Sequence, residues 1–291
     1  MPPLLELIDP VELADFHHLT FPAVLKIARE RPDSARAIAV KTTDDIAGLA
    51  VSLPGPNGQF ELLSLYISPF FRRMGWGSSL LQAVEDDFHQ LGYSIGVHFM
   101  NVERDDQAHV RFCMQAGWCA PVATKLVCRS TLALAFQTPW LVKAELPERY
   151  RIVDWSSLDQ ASRAAVKADV GRWIPHELDP FNHETGCDPS TSVALVDAAN
   201  GNVLGFVMTH LLDGHTLRWT CSYLAPHLQS SGLMCALWLE TARRQSRHDG
   251  VVDFCFTAAV SEPRMARFAF RRMKPWLSEL SYGCTTTKNV A

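Results

Sequence analysis

The 291-residue sequence lacks an excess of either charge, since 27 lysines and arginines face 31 aspartates and glutamates. A net charge of −4 argues against a general nucleic-acid-binding protein, which normally carries a basic excess. Hydrophobic residues make up 47% and charged residues 20% of the chain, a globular composition that excludes a disordered or fibrous protein. The length predicts two domains.

The eight cysteines form no CxxC pair and no cluster with histidine at zinc spacing. Scattered cysteines inside apolar segments, such as Cys255 in 251–256, are typical of buried residues in a reducing compartment. The N-terminal segment also lacks the basic residues of a secretory signal. We therefore expect a cytoplasmic protein. The histidines at 17, 18, 176 and 183 match no common zinc site, so we expect no bound metal.

One stretch of 21 residues, 219–239, lacks Asp, Glu, Lys and Arg and therefore invites comparison with a membrane span. Pro226, Gln229 and Gly232 lie together in its middle. These residues predict a turn between two buried elements, and we expect no helix across a bilayer.

An internal repeat organises the chain. Residues 64–80 align without gaps with residues 221–237, which lie 157 positions later. The alignment pairs the following residues: Tyr66 with Tyr223, Pro69 with Pro226, Gly75 with Gly232, and Leu80 with Leu237. We infer a tandem duplication with domains at 1–142 and 148–291, joined by a linker within 138–150.

Each repeat has the same predicted order of elements. The hydrophobic pattern of the first predicts helices at about 13–30, 77–91 and 105–116, and strands at 37–40, 47–53, 60–68, 93–100 and 122–136. In the second repeat, Ser156 and Ser157 are predicted caps of a helix that ends near Asp169. Asn200-Gly201 and Asp213-Gly214 then predict hairpins between its strands.

The junction after the strand at 60–68 has the features of a phosphate-binding loop. Arg72 and Arg73 supply positive charge, and Gly75 and Gly77 open a helix whose first amides a phosphate can approach. We expect Pro69 to help separate the strand from its neighbour. The six residues 72–77, Arg-Arg-Met-Gly-Trp-Gly, resemble the cofactor motif of the GNAT family of N-acetyltransferases at every fixed position.

The resemblance implies an α/β fold of two tandem GNAT-like domains, each a mixed, mostly antiparallel twisted sheet flanked by helices. It implies acetyl-CoA or another acyl-CoA as donor and an amine of a small molecule or peptide as acceptor. The family binds coenzyme A through the strand end and the loop, which here are Leu65, Tyr66, Ile67, Arg72, Arg73, Met74, Gly75, Trp76, Gly77 and Ser78. Phe70, Phe71 and Trp76 surround the expected cofactor mouth and favour either a longer acyl chain or simple packing of the loop.

Acyl transfer to an amine needs a base, because an amine with a pKa near 10.4 is neutral in only about one molecule in 2,500 at pH 7. Glu61 is the predicted base, since many family members keep a carboxylate there; the alternative is a solvated strand residue. The family's usual tyrosine acid is replaced by Cys113, which is either an acid or a core cysteine. Tyr66 is a second candidate acid. The family's helix-opening asparagine is also replaced, near Asp106.

The second repeat retains Gln229 and Gly232 of the motif, but Met234 replaces its last glycine or alanine. The possible second cofactor site comprises Leu224, Gln229, Gly232 and Leu233, and the alternative is a domain that shapes the substrate cleft or dimerises. Arg218 stands where Glu61 lies in the first repeat, which places the predicted catalysis in the N-terminal domain.

Two broader alternatives remain at this stage. A non-catalytic acyl-CoA-binding or interaction protein built from duplicated folds explains the missing tyrosine. The segment 171–189, rich in Asp, Glu, His, Pro and Phe, is either a substrate-recognition loop or an ordinary surface connection. The sequence leaves the acceptor, the acyl length and the oligomeric state open.

Overall fold

The computed structural model describes residues 4–9, 12–42, 46–102 and 107–290. They fold into two compact units. Unit 1 contains residues 1–124 and 282–291, and unit 2 contains residues 125–281.

The described elements alternate between strands and helices along the chain. The strands are β1 Leu4–Ile8, β2 Arg36–Lys41, β3 Ile46–Pro54, β4 Gln59–Ile67, β5 Ile95–Val102, β6 Val122–Thr131, β7 Tyr150–Asp154, β8 Val193–Asp197, β9 Val203–Leu211, β10 Thr216–Leu224, β11 Asp253–Ala259 and β12 Glu279–Asn289. The α-helices are α1 Pro22–Glu30, α2 Trp76–Gln90, α3 Ala108–Gln115, α4 Leu132–Gln137, α5 Pro139–Val142, α6 Gln160–Asp169, α7 Leu233–Gln245 and α8 Pro263–Phe268.

The sheet of unit 1 has the strand order β1-β2-β3-β4-β5-β12. All of these neighbours are antiparallel except β4 and β5, which are parallel. One face of the sheet packs Phe60 and Leu62 against Leu80 and Leu81 of α2. The other face packs buried residues of β2 and β3 against α1 and a 3-10 helix at Glu12–Leu19. Two helical layers therefore cover a mixed sheet, as expected for this class of fold.

The sheet of unit 2 repeats this arrangement with the order β6-β11-β10-β9-β8-β7. Its only parallel pair among the described strands is β10 with β11. Leu217 and Trp219 pack on the side of α7, and Phe206 and Met208 pack on the side of α6. The fold class predicted from the sequence is confirmed.

The last strand of each repeat lies in the unit formed mainly by the other repeat. The β12 residues 282–289 pair antiparallel with 95–102 of β5. The β6 residues 125–131 pair antiparallel with 253–259 of β11. The compact units therefore do not coincide with the predicted ranges 1–142 and 148–291, because strand pairing joins segments far apart in the chain.

A buried ion pair fastens β12 into unit 1. Glu85 of α2 has only 4% of its side chain exposed and accepts hydrogen bonds from Lys288 Nζ at 2.6 Å and Trp118 Nε1 at 2.9 Å. Lys288 also donates to the carbonyl oxygen of Ala116 at 2.7 Å. Both charges thus have partners, which a buried ion pair requires.

Several local predictions are confirmed and three are wrong. The hairpins at 200–201 and 213–214 are present, and 219–239 contains the end of β10, a turn and the start of α7. The predicted strand at 122–136 ends at Thr131, because Leu132–Gln137 forms α4, which Thr131 caps by accepting a hydrogen bond from the Leu134 amide at 3.2 Å. The predicted helix at 13–30 is two helices, because Pro22 starts a new one. Ser156 and Ser157 do not cap α6: Asp159 does, by accepting a hydrogen bond from the Ser162 amide at 2.7 Å.

No helix in the described part of the chain combines the length and apolar character needed to cross a membrane.

Candidate active site

The loop between β4 and α2 brings backbone amides together at a helix start. A 3-10 turn at Pro69–Phe71 leads into Gly75, which precedes α2 and has φ = 81°. No atom lies within 4 Å of where a Cβ on Gly75 would be. A side chain there would be strained by the left-handed backbone and would project into open space in front of the helix. The loop therefore leaves room for a ligand at the helix start.

The first amides of α2 receive no side-chain cap. The opening N–H groups of a helix lack partners within the helix and carry partial positive charge, so they favour a phosphate group. Gly77 serves a different purpose, since its Cβ would approach Phe112 of α3 to 3.4 Å. The cradle predicted at 72–78 thus fits an anion by its backbone geometry.

The two arginines of the loop differ in their surroundings. Arg72 Nε donates to the carbonyl oxygen of Ile67 at 2.9 Å, and its guanidinium lies 5.6 Å from the centre of the Tyr66 ring. Arg72 therefore fastens the loop to the end of β4. Arg73 is exposed and has φ = 63°, a strained backbone for a residue with a Cβ.

The strand β4 separates from β5 at a β-bulge. Val51 pairs with Ser64 and Ser52 pairs with Leu62, so Leu63 is the extra residue. The parallel pairing with β5 ends at Leu62, and within 46–102 no later residue of β4 pairs with β5. The two strands therefore separate at the bulge, well before Pro69, which was expected to help separate them. Leu65, Tyr66 and Ile67 thus line the gap predicted to hold an extended ligand arm.

The bulge also places Glu61 and Tyr66 on the same face of the sheet. Leu65 and Ile67 pack on the side of α2, and Tyr66 packs on the side of α1. Glu61 lies next to the last paired residue, Leu62. Burial raises the pKa of the Glu61 carboxyl above its usual value, and the positive charge of Arg31 partly opposes this shift. A raised pKa suits a general base that works near neutral pH.

Cys113 lies on the opposite side of the sheet, in α3. It is 1% exposed, and burial together with the negative charge of Glu85 raises the pKa of its thiol to about 11. A thiol of this pKa is a weaker acid than an ordinary cysteine. Its burial and pKa weigh against a role as acid, and the role itself stays a prediction. Asp106 lies outside the described residues.

A histidine pair that the sequence pattern did not predict lies beside Cys113. His98 of β5 is 4% exposed, and its Nδ1–H donates to the carbonyl oxygen of Leu62 at 2.6 Å. Its Nε2 lies 2.8 Å from Nε2 of His109, which is 3.9 Å from the Cys113 sulfur. The pair therefore links Leu62, the last residue of β4 that pairs with β5, to Cys113, which occupies the position of the family's tyrosine acid.

Burial lowers the pKa of His98 to about 4, so its imidazole is neutral at physiological pH. The hydrogen bond to Leu62 then assigns the proton to Nδ1, and Nε2 accepts a hydrogen bond from His109. A comparison of the repeats could have found this residue. Leu62 pairs with His98, whereas its counterpart Trp219 pairs with the apolar Phe256.

The corresponding loop of unit 2 shares the helix-opening glycine but differs in the backbone before it. Gln229 is helical (φ = −61°, ψ = −23°) where Arg72 is extended (φ = −72°, ψ = 156°), and Ser230 lacks the positive φ of Arg73. Gly232 precedes α7 with φ = 83°, and Gln229 Nε2 donates to the carbonyl oxygen of Leu224 at 3.3 Å. The Leu233 amide donates to Ser231 Oγ at 3.3 Å. Met234 is half-buried and packs against the core of unit 2. The loop therefore keeps its opening glycine and its hydrogen bond to the strand end, but it has a different backbone before the glycine and no arginine between 225 and 234.

The weaker candidates have structural surroundings of their own. Among the described residues, no group of three or more His, Cys, Asp or Glu side chains has the arrangement of a metal site. The segment 171–189 packs on the sheet of unit 2: Ile174 is 1% exposed, and Asp179 accepts from Lys167 Nζ at 2.9 Å. At the loop of unit 1, Phe71 stacks on Trp76 with ring centres 5.0 Å apart, and Phe70 is 88% exposed.

Comparisons with known proteins agree with this geometry. Residues 1–118 match the model of the acetyltransferase (GNAT) family. No curated protein matches the chain. Among solved structures, a tandem GNAT protein from the clavulanic acid biosynthesis pathway superposes with a TM-score of 0.71 at 13% identity, covering 99% of both chains.

Two further solved structures have the same fold. A GCN5-related N-acetyltransferase from Sphaerobacter thermophilus gives a TM-score of 0.65 at 17% identity, covering 99% of this chain and 96% of that chain. The glucosamine N-acetyltransferase region of a fungal multi-domain β-N-acetylglucosaminidase gives 0.63 at 15% identity, covering 98% of this chain and 38% of that chain. At these identities the likeness establishes the fold alone.

Proposed function

We propose, from the premise that residues 1–118 belong to the acetyltransferase (GNAT) family, that unit 1 transfers an acyl group from acyl-CoA to an amine. The observation that carries the proposal is the open cradle at Gly75 beside the gap that begins after Leu62. The acceptor is an amine of a small molecule or a peptide.

The residues of the loop fit the phosphates of coenzyme A. The uncapped amides of α2 and the exposed Arg73 would hold the pyrophosphate, and Leu65–Ile67 would bind the pantetheine arm along the strand. The bound donor supplies a thioester, whose carbonyl carbon is the electrophile. Arg72 maintains the loop by its hydrogen bond to Ile67 and contributes positive charge nearby.

Glu61 is the proposed base. Its carboxylate would take a proton from the acceptor ammonium, directly or through one water, and so supply the neutral nucleophile. Desolvation raises its pKa, which strengthens the carboxylate as a base compared with an exposed glutamate. The positive charge of Arg31 opposes that shift and so favours the ionised carboxylate.

No acid is assigned to the departing thiolate. Tyr66 shares the face of Glu61, whereas Cys113 lies on the other face with a pKa of about 11. A thiol has an ordinary pKa of about 8.5, so a thiolate leaves without full protonation. The buried Cys113 also favours the second candidate function, a protein that binds acyl-CoA without turning it over.

Native mass spectrometry with acetyl-CoA and longer acyl-CoAs tests the proposal. We expect one bound molecule, lost in Gly75→Glu and retained in Gly232→Glu, because glutamate adds strain and negative charge at the cradle. The two glycines have nearly equal φ values and equally open surroundings, so each variant is a matched control for the other. Unchanged binding and turnover in Gly75→Glu would contradict the proposal.

Release of free coenzyme A distinguishes the two candidate functions. An acyltransferase releases it in the presence of a suitable amine, so a panel of small amines and lysine-containing peptides should contain at least one substrate. Binding without release across the panel would favour the non-catalytic protein. The acyl-CoA with the highest kcat/KM identifies the donor.

A further inference from the structure

Unit 2 contains a cleft that the proposed function does not use. Its volume is about 500 Å³, within the range of small-molecule sites. It is lined by Val166 and Asp169 of α6, by Val203 of β9 and by His227 after β10. Trp173 also lines it. All of these residues belong to unit 2, so the cleft is complete within that unit.

One carboxylate, that of Asp169, lines this cleft. Asp169 is the last residue of α6, where the helix dipole is itself negative, so its carboxylate adds to the charge of the helix end. Within the described ranges Asp169 takes part in no ion pair, and the nearby Lys167 is paired with Asp179. A bound cation would therefore be favoured at this end. Asn202 lies in the lining as well and offers an amide oxygen.

Trp173 gives the cleft a fixed aromatic wall. Its indole stacks on the Tyr223 ring with centres 6.1 Å apart and an interplanar angle of 20°. Its backbone amide donates to the carbonyl oxygen of Asp169 at 3.1 Å, and both residues line the cleft. An aromatic face beside a carboxylate is a suitable environment for an organic ammonium group.

We infer that this cleft binds a small organic ammonium compound with an apolar body, with the ammonium group at Asp169 and the body against Trp173, Val166 and Val203. The Asp169 carboxylate favours a cation over an anion, and the apolar lining residues favour an apolar body over a sugar. The inference concerns a ligand site in unit 2. It does not depend on acyl transfer by unit 1.

Isothermal titration calorimetry with three probes tests the inference. The probes are phenethylammonium, 2-phenylethanol and 3-phenylpropanoate, which share an aromatic body and differ in charge. We expect phenethylammonium to bind the full chain and Asp169→Asn to weaken this binding by about tenfold, since one favourable charge contact is removed. The neutral probe should bind more weakly and the anion should not bind.

Matched variants locate the site. Asp249→Asn removes an exposed carboxylate from the same unit and should leave binding unchanged. Trp173→Phe keeps an aromatic face and should retain most of the affinity, whereas Trp173→Leu should lose it. Thermal unfolding of each variant verifies the fold.

Three results would overturn the inference. They are no binding of phenethylammonium to the wild-type chain, equal binding of the three probes, and equal effects of Asp169→Asn and Asp249→Asn. Loss of binding in Glu61→Gln instead of Asp169→Asn would place the amine in unit 1 and would also refute a site in the cleft.

Discussion

The equivalent strand of each unit contains a β-bulge at the equivalent position. Leu63 in β4 and Thr220 in β10 are both the extra residue of a bulge, and they lie 157 positions apart. After each bulge the parallel pairing with the next strand ends. The glycines that open the following helices have φ values of 81° and 83°. The bulge and the helix-opening glycine of the predicted cofactor site are therefore present twice, whereas the positive φ of Arg73 does not recur at Ser230.

The side chains around these two backbones differ. Unit 1 has Glu61 and His98 where unit 2 has Arg218 and Phe256. Gln229 repeats the strand-end hydrogen bond of Arg72 without its charge. The glycine and the hydrogen bond to the strand end thus recur in unit 2, whereas the Glu61 carboxylate and the two arginines of the loop do not. Retained geometry by itself is therefore a poor guide to retained chemistry.

The largest expected effect separates Glu61 from its counterpart. We expect Glu61→Gln to lower kcat/KM by about 10²- to 10⁴-fold, mainly through kcat, because the amine loses its base. Arg218→Gln should change activity little, because an arginine cannot take up that proton. Steady-state kinetics with the best acceptor measures both. Equal losses in the two variants would contradict the assignment of catalysis to unit 1.

The buried ion pair between Glu85 and Lys288 is a second difference between the units, because the residue of unit 2 that corresponds to Glu85 is Ala242. Lys288→Met leaves the Glu85 carboxylate without its cation and should lower the free energy of unfolding by about 3–5 kcal/mol. Urea denaturation measures the change. The double variant Glu85→Leu with Lys288→Met should recover most of the loss, and a single variant as stable as wild type would refute the argument.

His98 should make the stability of the chain depend on pH. Its pKa is about 4 when folded and near 6.5 when unfolded, so the unfolded chain binds more protons between these values. The contribution of His98 to the free energy of unfolding is therefore highest above pH 6.5. It falls by about 3 kcal/mol in total as the pH decreases to about 4. His98→Phe, which copies Phe256, should remove this dependence. Denaturation curves at several pH values test it.

The smallest effect concerns Arg31. Its charge lowers the pKa of Glu61, so Arg31→Gln should raise that pKa and move the acidic limb of kcat/KM to higher pH. Because Arg31 is exposed, the shift should be less than about one pH unit and should shrink at high salt. Arg29→Gln is the matched control on the same helix. An acidic limb that does not move would show that Glu61 does not determine it.

Local patterns in the sequence predicted much of the fold. Asn200-Gly201 and Asp213-Gly214 specify hairpins because their backbones adopt the required turns. The apolar stripe of α2 specifies the helix and its buried face. The loop at 72–77 could be predicted because glycines spaced in this way after a strand permit a positive φ and the close approach of a ligand to the backbone.

Other features have no local signature. The pairing of β5 with β12 joins residues almost 200 positions apart, and neither strand encodes its partner in its own pattern. The bulge at Leu63 changes which side of the sheet the following residues face, and alternation counted along the strand misplaces Tyr66. The link between His98 and His109 requires knowing that α3 packs over β5.

The place of β12 has a consequence for protein synthesis. The ribosome delivers this strand only after the preceding 278 residues have been made, although its partner β5 ends at residue 102. Chains usually fold domain by domain as they emerge, starting from the N-terminus. Here the edge of β5 stays without β12 during most of translation, and an unpaired edge invites association with other chains. Unit 1 is therefore synthesised first but receives its last strand only after unit 2 has been synthesised.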